Sequence, residues 1–161
     1  MSELLTALYR GDRARVDELL AQNPELNVFE AAALGRTDRL RELLAEDESR
    51  TNAFDDGGFH PLGLACFFGH ADAARVLLDH GADVNMLSKN EHIQTAAIHA
   101  AAASNEQGAD ESTRYELVKL VLKRGADPNL RQGGGFRAID AARQNGDTRV
   151  EQLLREHGAE D

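Results

Sequence analysis

The chain has 161 residues, 18 Lys and Arg against 28 Asp and Glu, a net charge of −10, 42% apolar residues and a single cysteine. That length holds one ordinary domain with a real core, and the surplus of acid repels phosphate backbones, so nucleic acid is not an expected partner. Cys66 alone excludes an internal disulfide and a four-cysteine metal site, and no apolar run approaches the roughly 20 residues that span a bilayer.

Alanine and leucine dominate while aromatics make up 5%, a composition that favours helices built on small and aliphatic side chains. Met1-Ser2-Glu3-Leu4-Leu5 lacks a basic segment followed by an apolar stretch, and a cytoplasmic protein is expected. Cys66, between Ala65 and Phe67, reads as a small buried thiol.

Along the chain a glycine marks the middle of successive units. Gly11, Gly35, Gly69 and Gly146 each precede a leucine by eight positions: Leu19, Leu43, Leu77 and Leu154. A short Ala-rich stretch comes before the glycine, and a polar residue followed by a new apolar pattern comes after it. This is a helix, a tight turn and a second helix. The first unit, 1–24, is too short for anything beyond a bare helix pair, which suits an N-terminal cap. The second spans 25–53 with Ala31-Ala32-Ala33-Leu34 as its first helix, and the third spans 54–86. The fourth, 87–130, ends in Gly125-Ala126-Asp127-Pro128-Asn129, which repeats Gly81-Ala82-Asp83-Val84-Asn85 at 44 residues instead of 33. The fifth, 131–161, closes on Gly158-Ala159-Glu160-Asp161, 33 residues after Gly125, and places Arg155 where the third unit has Leu78. A charge on the outer face is what a C-terminal cap requires.

The third unit carries a specific resemblance. Asp55-Asp56-Gly57-Gly58, then Phe59-His60-Pro61-Leu62-Gly63-Leu64-Ala65-Cys66-Phe67-Phe68-Gly69-His70, then Val76-Leu77-Leu78-Asp79-His80-Gly81-Ala82-Asp83-Val84-Asn85 resembles an ankyrin repeat over its full length. The resemblance implies an all-α ankyrin-repeat solenoid of stacked antiparallel helix pairs with short β-hairpin or loop tips. One such pair cannot bury its apolar face alone, so neighbouring units must cover it.

The Thr-Pro-Leu-His signature of these repeats is intact nowhere. The equivalent stretches read His60-Pro61-Leu62-Gly63, Ala96-Ala97-Ile98-His99 and Arg137-Ala138-Ile139-Asp140, so a locally weakened hairpin is expected at each. The fourth unit has three extra residues before Ile98 and eight within 104–114. That polar segment is not expected to join the core, and reads either as a functional loop or as a tolerated insertion.

By the same resemblance, partner contacts come from the residues before each turn glycine and from the tips. The first set is Tyr9 and Arg10, Ala33 and Leu34, Phe67 and Phe68, Gln144 and Asn145, with Ala103 and Ser104 in the same place in the fourth unit. The tips supply Asp55 and Asp56, then Lys89, Asn90, Glu91 and His92, then Arg131 and Gln132 before Gly133-Gly134-Gly135. That glycine run lacks the spacing and the following Lys-Ser/Thr of a phosphate loop. Phe59 and Phe136 hold equivalent positions, read as partly packed or as contacts. Phe67 and Phe68 either tuck against Ala31–Leu34 or face the groove as aromatic anchors, the first reading suiting Phe67 and the second Phe68. Asn85 and Asn129 read as turn-bonding residues.

Six histidines do not converge in this repeat pattern, so no metal or other cofactor is expected, and no nucleophile–base constellation is recognisable. The function this implies is a protein–protein interaction module, a monomer that binds a protein partner through its concave groove and tips. Acidic tips favour a partner with a basic face. The alternatives are a regulatory or inhibitory subunit of a partner enzyme, and an enzyme with a site in the groove or under the 104–114 loop.

Overall fold

In the computed structural model, which describes residues 1–161, ten α-helices follow one another without a β-strand. They are α1 (Glu3–Tyr9), α2 (Arg13–Ala21), α3 (Val28–Leu34), α4 (Thr37–Glu46), α5 (Pro61–Phe67), α6 (Ala71–Asp79), α7 (Ala97–Ala102), α8 (Glu111–Lys123), α9 (Ala138–Gln144) and α10 (Thr148–Glu156). Short 3-10 turns, Glu48–Asn52 and Ser104–Gln107, follow α4 and α7.

Each odd-numbered helix packs on the even one that follows it. The odd helices also pack on one another in series from α1 to α9, and the even ones do so from α4 to α10, which produces a two-layer stack. The odd layer is built close: Ala31, Ala32, Ala65, Ala101 and Ala142 are buried there and let neighbouring backbones approach. The even layer is filled by Leu40, Leu44, Leu77, Leu117 and Leu154, all inaccessible to solvent. One apolar core of 35 buried residues runs from Leu5 to Leu154, and the α1–α2 pair keeps a small separate cluster of Leu4, Ala7 and Val16.

Local chemistry fixes the turns. The carboxylates of Asp12, Asp110 and Asp147 accept the backbone N–H groups of Arg15, Thr113 and Val150, capping α2, α8 and α10. Gly35, at φ +70°, closes α3 in the left-handed region, and a β-carbon there would meet the His70 ring.

The helix entries that lack Thr-Pro-Leu-His are nevertheless bonded, each differently. At α7, His99 Nδ1 accepts the Ala96 N–H at 3.0 Å and Nε2 lies 2.7 Å from the Leu130 carbonyl. At α9, Asp140 accepts the Arg137 N–H at 2.8 Å. At α5, His60 caps from the other side, its Nδ1 accepting the Gly63 N–H at 3.1 Å. The weakening expected at these entries is therefore offset at α7 by the one signature residue that remains, His99, and at α5 and α9 by His60 and Asp140, which stand where the signature has threonine and histidine.

Asparagines bind the units together. Asn52 donates to the Gly81 carbonyl and accepts the Asp83 N–H; Asn85 does the same with Gly125 and Asp127, and Asn129 with Gly158 and Glu160, all at 2.8–3.1 Å. Each amide spans two successive units with both of its ends.

The tips take the loop form, with one backbone bond linking the arms of each: Asp55 N–H to Phe59 O at 2.9 Å, Ser88 N–H to Thr95 O at 2.9 Å and Gln132 N–H to Phe136 O at 2.8 Å. The arms between tip and helix are too short to add a ladder. One expectation needs correction: the 104–114 segment enters the packed structure. Ser104 is fully buried, Ala109 lies against Gly69, and Arg114 donates to the Ala109 carbonyl at 2.7 Å and to Asp147 at 2.9 Å.

Candidate interaction groove

A cavity of about 250 Å³ opens where the odd helices face the tips. Leu64, Phe67 and Phe68 of the α5 end, with Ala100 and Ala103 of the α7 end, form its apolar floor. Phe59, His92, Ile93, Gln94, Thr95 and Gln132 form the wall on the tip side. Adjacent tips are joined there, Lys89 N–H to Gly58 O at 2.7 Å and Gly133 N–H to Gln94 O at 2.9 Å, so this wall is continuous.

The opposite end is closed by residues far apart in sequence. Tyr9 of α1 stacks on Phe67 with ring centroids 6.0 Å apart, and Phe67 meets Phe68 edge to face at 5.3 Å. The inserted turn completes the boundary: Glu106 lines the cavity, and Gln107 donates its amide to the Tyr9 carbonyl at 3.3 Å. The unit that carries the insertion thus touches the first unit across the two between them.

His60 and His99 form the buried base of the cavity, and removal from water holds both below the ordinary histidine range. His60 Nδ1 accepts a hydrogen bond, so its proton sits on Nε2. The Thr95 and Met86 backbones favour that proton, yet neither meets Nε2 in hydrogen-bond geometry. Cys66 is enclosed and its thiol is pushed up to about 12 by burial alone, so it is inert as a nucleophile. No three His, Cys, Asp or Glu side chains converge to hold a metal ion.

The sequence-derived candidates divide in three. Tyr9, Phe67, Phe68, Ala103, His92 and Gln132 line the groove. Both phenylalanines are half-buried walls of the same cavity, so neither is tucked wholly under Ala31–Leu34 and neither stands free. Arg10, Asp56, Glu91, Arg131 and Gln144 are exposed outside it. The remainder serve the fold. Leu34 packs against the α1–α2 cluster, and Asp55 accepts the Gly57 and Phe59 N–H groups of its own turn. Lys89 lies 4.3 Å over the Phe54 ring, and Asn145 donates to Asn105 of the insertion. Ser104, expected at the groove, is the clearest departure: its hydroxyl donates to the Ala101 carbonyl and the residue is fully buried beneath the exposed Asn105 and Glu106.

Ile93, Gln94, Thr95 and Glu106 line the groove without having been singled out. The first three belong to the lengthened fourth tip and Glu106 to the inserted turn. The signal that would have found them is therefore the extra chain length itself.

A profile of ankyrin repeats (3 copies) matches residues 4–88 and again 28–132. The chain belongs to the ankyrin-repeat family. The rat ankyrin repeat and SAM domain-containing protein 6 is 30% identical over 114 residues, 71% of this chain and 12% of its own length. The human DNA-binding protein RFXANK is 38% identical over 88 residues, 55% of this chain and 33% of its own. The nematode E3 ubiquitin-protein ligase hecd-1 (Caenorhabditis elegans) is 29% identical over 143 residues, 89% of this chain and 5% of its own. The chain thus spans a third or less of these relatives, and the match to a ligase covers a small part of it. Ankyrin repeats are in general protein-interaction modules. No helix of this one is long and apolar enough to cross a membrane.

Proposed function

We propose that this ankyrin-repeat chain binds a protein partner through the groove between its odd helices and its tips, and carries out no chemistry of its own. The observation that carries this is the groove: a preformed, half-apolar cavity walled by Tyr9, Phe67 and Phe68. A rigid wall loses little ordering entropy when a partner docks, and buried aromatic side chains concentrate binding energy. The chain is read as one domain of five units, 1–24, 25–53, 54–86, 87–130 and 131–161, the outer two acting as caps, working as a monomer in the cytoplasm. The exposed acid Glu91 and the net charge of −10 favour a partner with a basic face and disfavour nucleic acid.

The test is a quantitative capture from native-host lysate with three baits: the wild-type chain, Phe67→Ser/Phe68→Ser, and Arg41→Glu on α4 away from the groove. Each is first shown by thermal melting to be folded. A partner retained by wild type and Arg41→Glu, and at least tenfold less by the groove variant, supports the reading. Equal retention by all three baits overturns it.

A further inference from the structure

The groove has one feature that its apolar floor does not explain. Glu106 is the single carboxylate that lines it, and this side chain pairs with no cation of the chain. No Lys or Arg lines the cavity. The nearby tip cations are engaged by their own chain: Lys89 sits over the Phe54 ring, and Arg131 donates to the Gly135 carbonyl at 2.7 Å. Arg10 follows Tyr9 but lies outside the groove and pairs with no carboxylate, so an incoming cation has nothing to displace.

We infer that the groove takes an extended partner segment that lays an arginine side chain along the Tyr9–Phe67–Phe68 wall, with its guanidinium at Glu106. This rests on the groove being the partner site. Size supports it: about 250 Å³ holds one long side chain and the backbone that bears it. The chemistry supports arginine in particular. Its methylenes cover the apolar floor, its planar head stacks on aromatic faces, and its paired N–H groups match a carboxylate. Glu106 stands on the inserted turn that Gln107 fastens to Tyr9, which holds the acid and the aromatic wall in one frame.

Three blocked pentapeptides test this with the full chain: Ac-Gly-Leu-Arg-Leu-Gly-NH2 and its counterparts with norleucine or glutamate at the centre. Each is titrated into isotope-labelled protein while the ring signals of Tyr9, Phe67 and Phe68 are followed by NMR. The arginine peptide is expected to shift these signals and to bind about fivefold more tightly than the norleucine peptide. The glutamate peptide should not shift them. Glu106→Gln, a change at an exposed and unpaired position, should bring the arginine advantage below twofold. Equal binding of the arginine and norleucine peptides to wild type overturns the inference and leaves the groove reading intact. So does an arginine advantage that survives Glu106→Gln. Absence of any shift at millimolar peptide also overturns it. Failure of the groove reading is seen separately, as unchanged partner capture by Phe67→Ser/Phe68→Ser.

Discussion

At the entries of α5, α7 and α9, two histidines and an aspartate bond backbone N–H groups of the first turn or its cap, and their differences can be measured. His60 and Gly63 exchange the places a helix-capping residue and a ring would normally hold. The ring fills the space beside Gly63, where an added β-carbon would lie 3.0 Å from His60 Cε1. Gly63→Ala should therefore destabilise the wild-type chain, although alanine is better than glycine in a helix by about 1 kcal/mol. In a His60→Thr background the same change should stabilise. Urea denaturation of the four combinations measures this, and the same sign in both backgrounds contradicts it. His99→Ala leaves the Ala96 N–H and the Leu130 carbonyl unbonded inside the stack, a loss of about 3 kcal/mol in the same assay. The buried histidines also set a pH dependence. Burial lowers His60, His70 and His99 below the ordinary histidine range, so these rings resist protonation in the folded chain while the unfolded chain takes up protons. Stability is thus fully present above pH 6.5 and is lost as pH falls from there toward the folded values. Calorimetry should show the melting temperature dropping by several degrees between pH 7.5 and 5.5, and a flat profile contradicts this. Asp140, held low by the Arg137 N–H, adds a further loss only below the ordinary aspartate range. Little of this was legible in sequence. The broken signature is visible in His60 and Gly63, but the compensation depends on which volume each ring occupies.

Among the elements, the inserted turn and its anchor carry the most unusual energetics. Arg114 and Asp147 pair at 2.9 Å with side chains 12% and 1% exposed, and Asp147 also caps α10. Asp147→Ala removes the cap and strands a buried guanidinium, at a cost of about 3–4 kcal/mol by urea denaturation. Breaking the open pair of Arg41 with Asp38, 58% and 97% exposed, should leave the midpoint unchanged within error. Helix pairs, turn glycines and their polar caps were readable because each follows from the nearest few residues. The inserted turn was not, since its length and polarity pointed to a loose loop. Its order comes from Arg114 and Gly69, contacts made 5 to 40 residues away in the chain. Between hairpin and loop the tips were not decided by sequence, because glycine-rich turns signal a reversal without fixing how far the arms continue.

Across the whole molecule, stability is graded along the stack. The α1–α2 pair contributes a cluster of three buried residues beside a core of 35, so it should open first. Hydrogen exchange followed by mass spectrometry should show amides of Glu3–Ala21 exchanging well before those of α5 to α8, and uniform protection contradicts that grading. The repeat period made the stack legible. The contact of Gln107 with Tyr9 was not, because it joins residues 98 positions apart. The asparagine row has a mechanical consequence. Asn52, Asn85 and Asn129 each grip the next unit at two points near the ends of the even helices, so that edge behaves as the spine of a bound book. Pages sewn along a spine splay only at their free edge, and here that edge holds the aromatic residues. Gln107 is its clasp: one amide, 3.3 Å from the Tyr9 carbonyl, fastens the fourth unit to the first across that open side.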